Sequence, residues 1–127
     1  MVEKQIILST WENNNQVIFA NQGEINSRNI IIKFSDANEN ILSLTNKNII
    51  FYAKKPDENA IFNNCEINAD GETISIVLTS SLLDTAGIVK CEFQISDDSG
   101  KLLKVNGLRI LVYAENNFSA AVESIVE

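Results

Sequence analysis

Side chains that could act on a substrate are almost all carboxylates here. The 127 residues hold 17 Asp and Glu beside 10 Lys and Arg, and no histidine. Without imidazole there is no Ser-His-Asp or Cys-His nucleophilic site, no common zinc set and no ordinary general base near neutral pH. Chemistry by carboxylates alone needs two acids about 5 to 10 Å apart, one of them with a raised pKa. Asp97-Asp98 is a pair in sequence, but adjacent acids in a strand-connecting loop are ordinarily just solvated. Asp36-x-Asn38-x-Asn40 opens like a calcium loop, yet Ile41 stands where the sharp turn needs glycine and Lys47 where a bidentate Glu is needed. The five glycines are scattered singly, so there is no phosphate-cradling loop. Asn117-Phe118-Ser119 matches a glycosylation acceptor, which has meaning only in a secreted chain. No residue therefore qualifies as catalytic, cofactor-binding or metal-ligating, and no cofactor is expected.

Cys65 and Cys91 lack Cys-x-x-Cys spacing, and each falls on the inward register of its own strand-like run. Small buried hydrophobes are the expected reading. A disulfide stays open if the strands prove adjacent and the compartment oxidising. What remains is contact chemistry. Trp11, the sole tryptophan, borders the polar run 12–16 and is either an anchor for a partner or sugar, or a lid packed over the end of the core. Phe118, Ala121, Val122 and Ile125 fall at helical spacing and form the second candidate contact, as the start of a stalk or a frayed end.

The elements that must position these residues are strands. The stretch 47–95 organises the chain: 47–54 is rich in Ile and aromatics, 55–59 is turn chemistry around Pro56, and 60–68 resumes an extended pattern. Ala69-Asp70-Gly71-Glu72 is a hairpin signal, after which Ile74, Ile76 and Leu78 share one face, as do Val89, Cys91, Phe93 and Ile95. Earlier, 5–9 is a first strand, 17–20 a brief apolar patch, and 29–35 a strand with apolar groups on both faces, which belongs in the middle of a sheet. Residues 80–87, with Leu82 and Leu83, read as one helical turn capping an end of the core. Residues 96–101 form a hairpin loop before the closing strand 102–113, where Asn106-Gly107 marks a bulge or tight turn. Period two throughout predicts an all-β, antiparallel β-sandwich over 1–113, with 114–127 a linker or the start of a stalk helix.

Composition agrees with one such domain. The length suits a single core, 45% of residues are hydrophobic, and the net charge is −7. That balance disfavours nucleic acid and anionic membrane surfaces, which both select for Lys and Arg. No apolar run approaches the roughly 20 residues that span a bilayer, and the start lacks a signal-peptide core, so the expected place of synthesis is the cytoplasm.

The runs Ile49-Ile-Phe-Tyr-Ala-Lys-Lys-Pro-Asp57, Phe62-Asn-Asn-Cys-Glu-Ile67, Ile76-Val-Leu-Thr79 and Ala86-Gly-Ile-Val-Lys-Cys-Glu-Phe-Gln-Ile95 resemble the N-terminal domain of phage baseplate upper proteins. The order of elements is similar over about Ile6 to Tyr113. The resemblance implies an immunoglobulin-like β-sandwich without catalytic residues. Such a domain attaches receptor-binding or fibre parts to the tail of a phage, prophage or phage-tail-like particle infecting Gram-positive hosts. It implies other baseplate or tail proteins as partners, itself as a homo-oligomer among them, and a place in the virion baseplate after synthesis in the bacterial cytoplasm. Such proteins usually continue into a stalk, so the chain is expected to be one piece of a longer one. The alternative is a carbohydrate-binding sandwich contacting cell-wall glycans; it needs clustered exposed aromatics, whereas Tyr52 is expected inside or against a neighbouring sheet.

Overall fold

In the computed structural model, which describes residues 1–115, the alternating runs become eight strands. They are β1 (Val2–Ser9), β2 (Gln16–Asn21), β3 (Arg28–Ser35), β4 (Asn48–Lys54), β5 (Ala60–Cys65), β6 (Thr73–Val77), β7 (Gly87–Ser96) and β8 (Leu102–Tyr113). Two sheets form, one of three strands in the order β1-β3-β6 and one of five in the order β2-β8-β7-β4-β5. Because side chains alternate, each strand sends one set of apolar residues between the sheets. Ile30, Ile32 and Phe34 of β3 thus face Phe51 of β4 and Phe93 of β7, all buried. Phe93 lies edge-on to Phe34 at 5.5 Å and against Phe51 at 5.2 Å, so three aromatic rings from both sheets meet at the centre. As expected, β3 is the middle strand of its sheet.

Three expectations need correction. The sandwich is not wholly antiparallel: β1 pairs with β3, and β2 with β8, in parallel. Period two reports which face is buried and carries no information on the direction of the neighbouring strand. β1 and β3 run the same way because β2, between them in sequence, returns the chain through the other sheet. The Asp70-Gly71 turn does not close a hairpin. It passes the chain from β5 in the large sheet to β6 in the small one, with a single bridge between Ile67 and Ile74. The patch at 17–20 is a full edge strand, β2. The helical segment after Thr79 is one turn closed by a single bond from Leu83 N–H to the Thr79 carbonyl (3.1 Å), and Leu82 and Leu83 plug that end of the core. The bulge is where the sequence put it: Cys91 faces Leu108 while Glu92 faces Asn106, leaving Gly107 as the extra residue.

Candidate functional site: a loop end and a sheet face

Four of the aspartates are turn builders. Asp36, Asp57, Asp70 and Asp97 each accept a hydrogen bond from the backbone N–H two residues on, at 2.9, 3.0, 2.9 and 3.0 Å respectively. These are Asx turns, the short side chain substituting for a backbone carbonyl. Such bonds favour the ionised form and hold Asp97, Asp70 and Asp57 low: for Asp97 the Ser99 hydroxyl leads, for Asp70 the Glu72 N–H, for Asp57 the Asn59 N–H. Asp98, the other half of the sequence pair, is simply exposed. Among the described residues, no group of three or more His, Cys, Asp or Glu is placed to hold a metal.

The Lys-Pro-Asp segment has a role that the sequence did not announce. Lys55 is only 6% exposed, and its ammonium reaches Asp84 at 2.6 Å and Asp57 at 3.7 Å. Asp84 holds the Lys55 pKa up, and Lys55 holds that of Asp84 down. Gln22 Nε2 donates to the Asp84 carbonyl at 2.9 Å, and Gln22 Oε1 accepts from the Glu115 N–H at 3.0 Å. The β4–β5 turn, the 80–86 segment, the β2–β3 turn and the exit of β8 are thereby tied at one end of the sandwich. The sequence signal was a lysine ahead of the only proline; its partner, 29 positions on, was not legible.

Trp11 stands at the opposite end. Ser9 Oγ accepts from the N–H groups of Trp11 (3.2 Å) and Glu12 (3.0 Å), turning the chain as β1 finishes. Asn14 clamps that loop from both sides, its Oδ1 accepting from Ser9 N–H at 2.7 Å and its Nδ2 donating to the Ser9 carbonyl at 2.9 Å. Asn14 also donates to the Asn106 carbonyl, from Nδ2 at 3.0 Å and from N–H at 3.4 Å, which docks the loop on the β8 bulge. The approach is so close that a Cβ on Gly107, where φ is +100°, would overlap the Asn14 carbonyl and lie 2.8 Å from its Cα. On this fixed loop the Trp11 side chain projects into solvent, 76% exposed, and does not cover the core. Phe118, Ala121, Val122 and Ile125 lie outside the described residues.

The outer face of the five-stranded sheet carries the other exposed aromatics. Tyr52 is on that face, not inside: it opposes Phe62 on β5, their rings 6.0 Å apart and nearly parallel. At the far edge Phe19 of β2 stacks on Tyr113 of β8, also at 6.0 Å. By strand spacing and rise the two pairs are about 20 Å apart. Period two could have located them, since all four occupy the outward register, where an aromatic is out of place on a solvated face.

Cys65 and Cys91 are both free. Opposite Ile49 and Ala53 on either side of β4, they are roughly 16 Å apart by register, beyond the 7 Å or so that a disulfide spans. Burial pushes the Cys91 thiol up to about 12 and the Cys65 thiol to about 11. Cys91 is a core residue as expected, whereas Cys65 is half-buried on the wall of a 420 Å³ groove between β5 and β6.

Four aspartates thus build turns, both thiols are raised by burial, and the exposed aromatics stand on one loop and one sheet face. The chain belongs to the BppU N-terminal domain family, which matches residues 2–125, and is thus a structural component of the phage baseplate. Its fold is similar to that of the N-terminal domain of phage TP901-1 ORF48, with a TM-score of 0.71 at 18% identity over 89% of this chain and 99% of that one. No curated protein matches it in sequence.

Proposed function

We propose that this chain is an adaptor: a non-enzymatic sandwich that attaches receptor-binding or fibre parts to the tail and docks by shape onto other baseplate proteins or copies of itself. The observation that carries the reading is the Trp11 loop. An indole held 76% exposed on a loop tied to the sheet at both ends is an anchor already ordered before binding, so little entropy is lost on docking. Residues 114–127, with Phe118, Ala121, Val122 and Ile125, would lead outward as the second contact. The test is reconstitution: tail particles assembled without this chain should bind it, and Trp11→Ala should weaken binding about tenfold or more without lowering stability. Equal binding by the variant would remove Trp11 from the interface; tails that take up no wild-type protein would overturn the adaptor reading.

The aromatic pairs on the sheet favour a second reading, a module that binds cell-wall glycans. Their separation counts against it, because one short sugar chain must span both pairs to use them. Retention of the protein on purified cell wall, lost in Phe62→Ala, would support it.

A further inference from the structure

The charge on the outer face of the large sheet is the reverse of the chain's. Among outward residues of its five strands, Lys54, Lys90, Lys104 and Arg109 face a single acid, Glu92, although acids outnumber bases across the whole sequence. Three of these cations stand in one row: Arg109 is directly opposite Lys90, and Lys90 directly opposite Lys54. Like charges facing one another across strands destabilise a sheet, so such a row works against the isolated fold. Glu58 pairs with Lys54 at 2.7 Å and also feels the charge of Lys90, and Arg109 donates to Asn15 Oδ1; among the described residues neither Lys90 nor Arg109 has an ion-pair partner. The row runs between the two aromatic pairs, and a depression of about 310 Å³ opens beside it at Tyr52, Lys90 and Asn106.

The geometry points to this face as a docking surface for a protein partner whose own surface presents carboxylates flanked by apolar side chains. Charge complementarity identifies the partner's sign, since only an acidic surface relieves the row. Its extent identifies the partner's scale. Five strands at about 4.8 Å spacing, each about 20 to 40 Å long, present on the order of 600 Å², close to the roughly 800 Å² per side of a stable protein interface. Phe19–Tyr113 and Tyr52–Phe62 then supply apolar anchors on both sides of the charged row. The inference rests on the adaptor reading and extends the contact surface from the Trp11 loop, whose Asn14 and Asn15 touch Asn106 and Arg109, across the sheet face.

The test uses the full chain and tail particles assembled without it, with binding measured by sedimentation at about 0.05 M and about 0.5 M salt. Wild-type protein should bind more weakly at the higher salt. Lys54→Glu/Lys90→Glu/Arg109→Glu should bind about tenfold more weakly or worse at low salt, with its salt dependence gone or inverted. The neutral variant Lys90→Gln, which relieves the row and leaves the Arg109–Asn15 hydrogen bond in place, should fold at least as stably and show an intermediate loss. If both variants bind as wild type does, this inference fails and the adaptor reading stands. If wild-type protein does not bind tails, both fail. Row-dependent binding to a purified anionic cell-wall polymer, with no uptake by tails, would overturn the assignment to a protein partner.

Discussion

Replacing Gly107 by alanine tests the close approach that fixes the Trp11 loop. Two costs add. The positive φ of +100° disfavours any L side chain by roughly 1 to 2 kcal/mol. The new Cβ would also overlap the Asn14 carbonyl, so the loop must retreat and lose both Asn14 hydrogen bonds to Asn106, each worth about 0.5 to 1.5 kcal/mol. Together these predict a loss of about 2 to 5 kcal/mol, or on the order of 10 to 20 °C in melting temperature for a domain of this size. Gly100→Ala is the control: φ is +83° there, but nothing lies within 4 Å of the added carbon. It should lose only the backbone component, about 1 to 2 kcal/mol. Urea unfolding of both variants gives the difference directly. Equal losses would refute the close approach, and with it the argument that the loop is held rigid before docking.

Three further outcomes follow from the same geometry. Phe93→Ala removes the ring shared by Phe34 and Phe51 and should cost about 3 to 5 kcal/mol in urea unfolding, against less than 1 for an exposed change such as Lys104→Ala. With no histidine, stability should be flat between about pH 5 and about pH 8. Asp57, Asp70, Asp84 and Asp97 are held below their unfolded value of 3.8, so their stabilisation is present above it and is lost as pH falls through the folded values. At the alkaline end the unfolded thiols ionise from 9.0 while the folded ones resist, so stability falls as pH rises past that point; Lys55, raised above 10.5, loses its contribution higher still. A urea midpoint that moves between about pH 5 and about pH 8 would contradict this, and Asp84→Asn should shallow the acid limb. Finally, Cys91 should resist alkylation at pH 8 until the domain unfolds, with Cys65 slow but faster than Cys91; rapid labelling of Cys91 in the native protein would place it wrongly.

The buried face of nearly every strand was legible, because one face in water and one in the core imposes period two. Ile30, Ile32 and Phe34, and Val89, Cys91, Phe93 and Ile95, went inward as read. Strand direction and sheet membership were not legible, since backbone pairing carries no side-chain code; the parallel partners of β1 and β2 and the crossover at Asp70-Gly71 belong to that class. Trp11 could be placed beside a loop but not inside or outside it, because its exposure depends on Asn14 meeting Asn106 across more than ninety positions. The burial of Lys55 depends likewise on a distant acid, Asp84. The row of cations was invisible because Lys54, Lys90 and Arg109 become neighbours only once β4, β7 and β8 are aligned.

The pairing of β2 with β8 also sets a timetable. A chain emerging from the ribosome can join β1 to β3 early, but β2 has no neighbour in its own sheet until the last strand arrives. Its closing partner is separated from it by some ninety residues of sequence, the kind of long-range contact that slows folding. Until then Val17 and Phe19 lie on an open edge. The domain therefore locks last where its beginning meets its end, and a nascent chain halted before Leu108 would be left with β2 unpaired and prone to pair elsewhere.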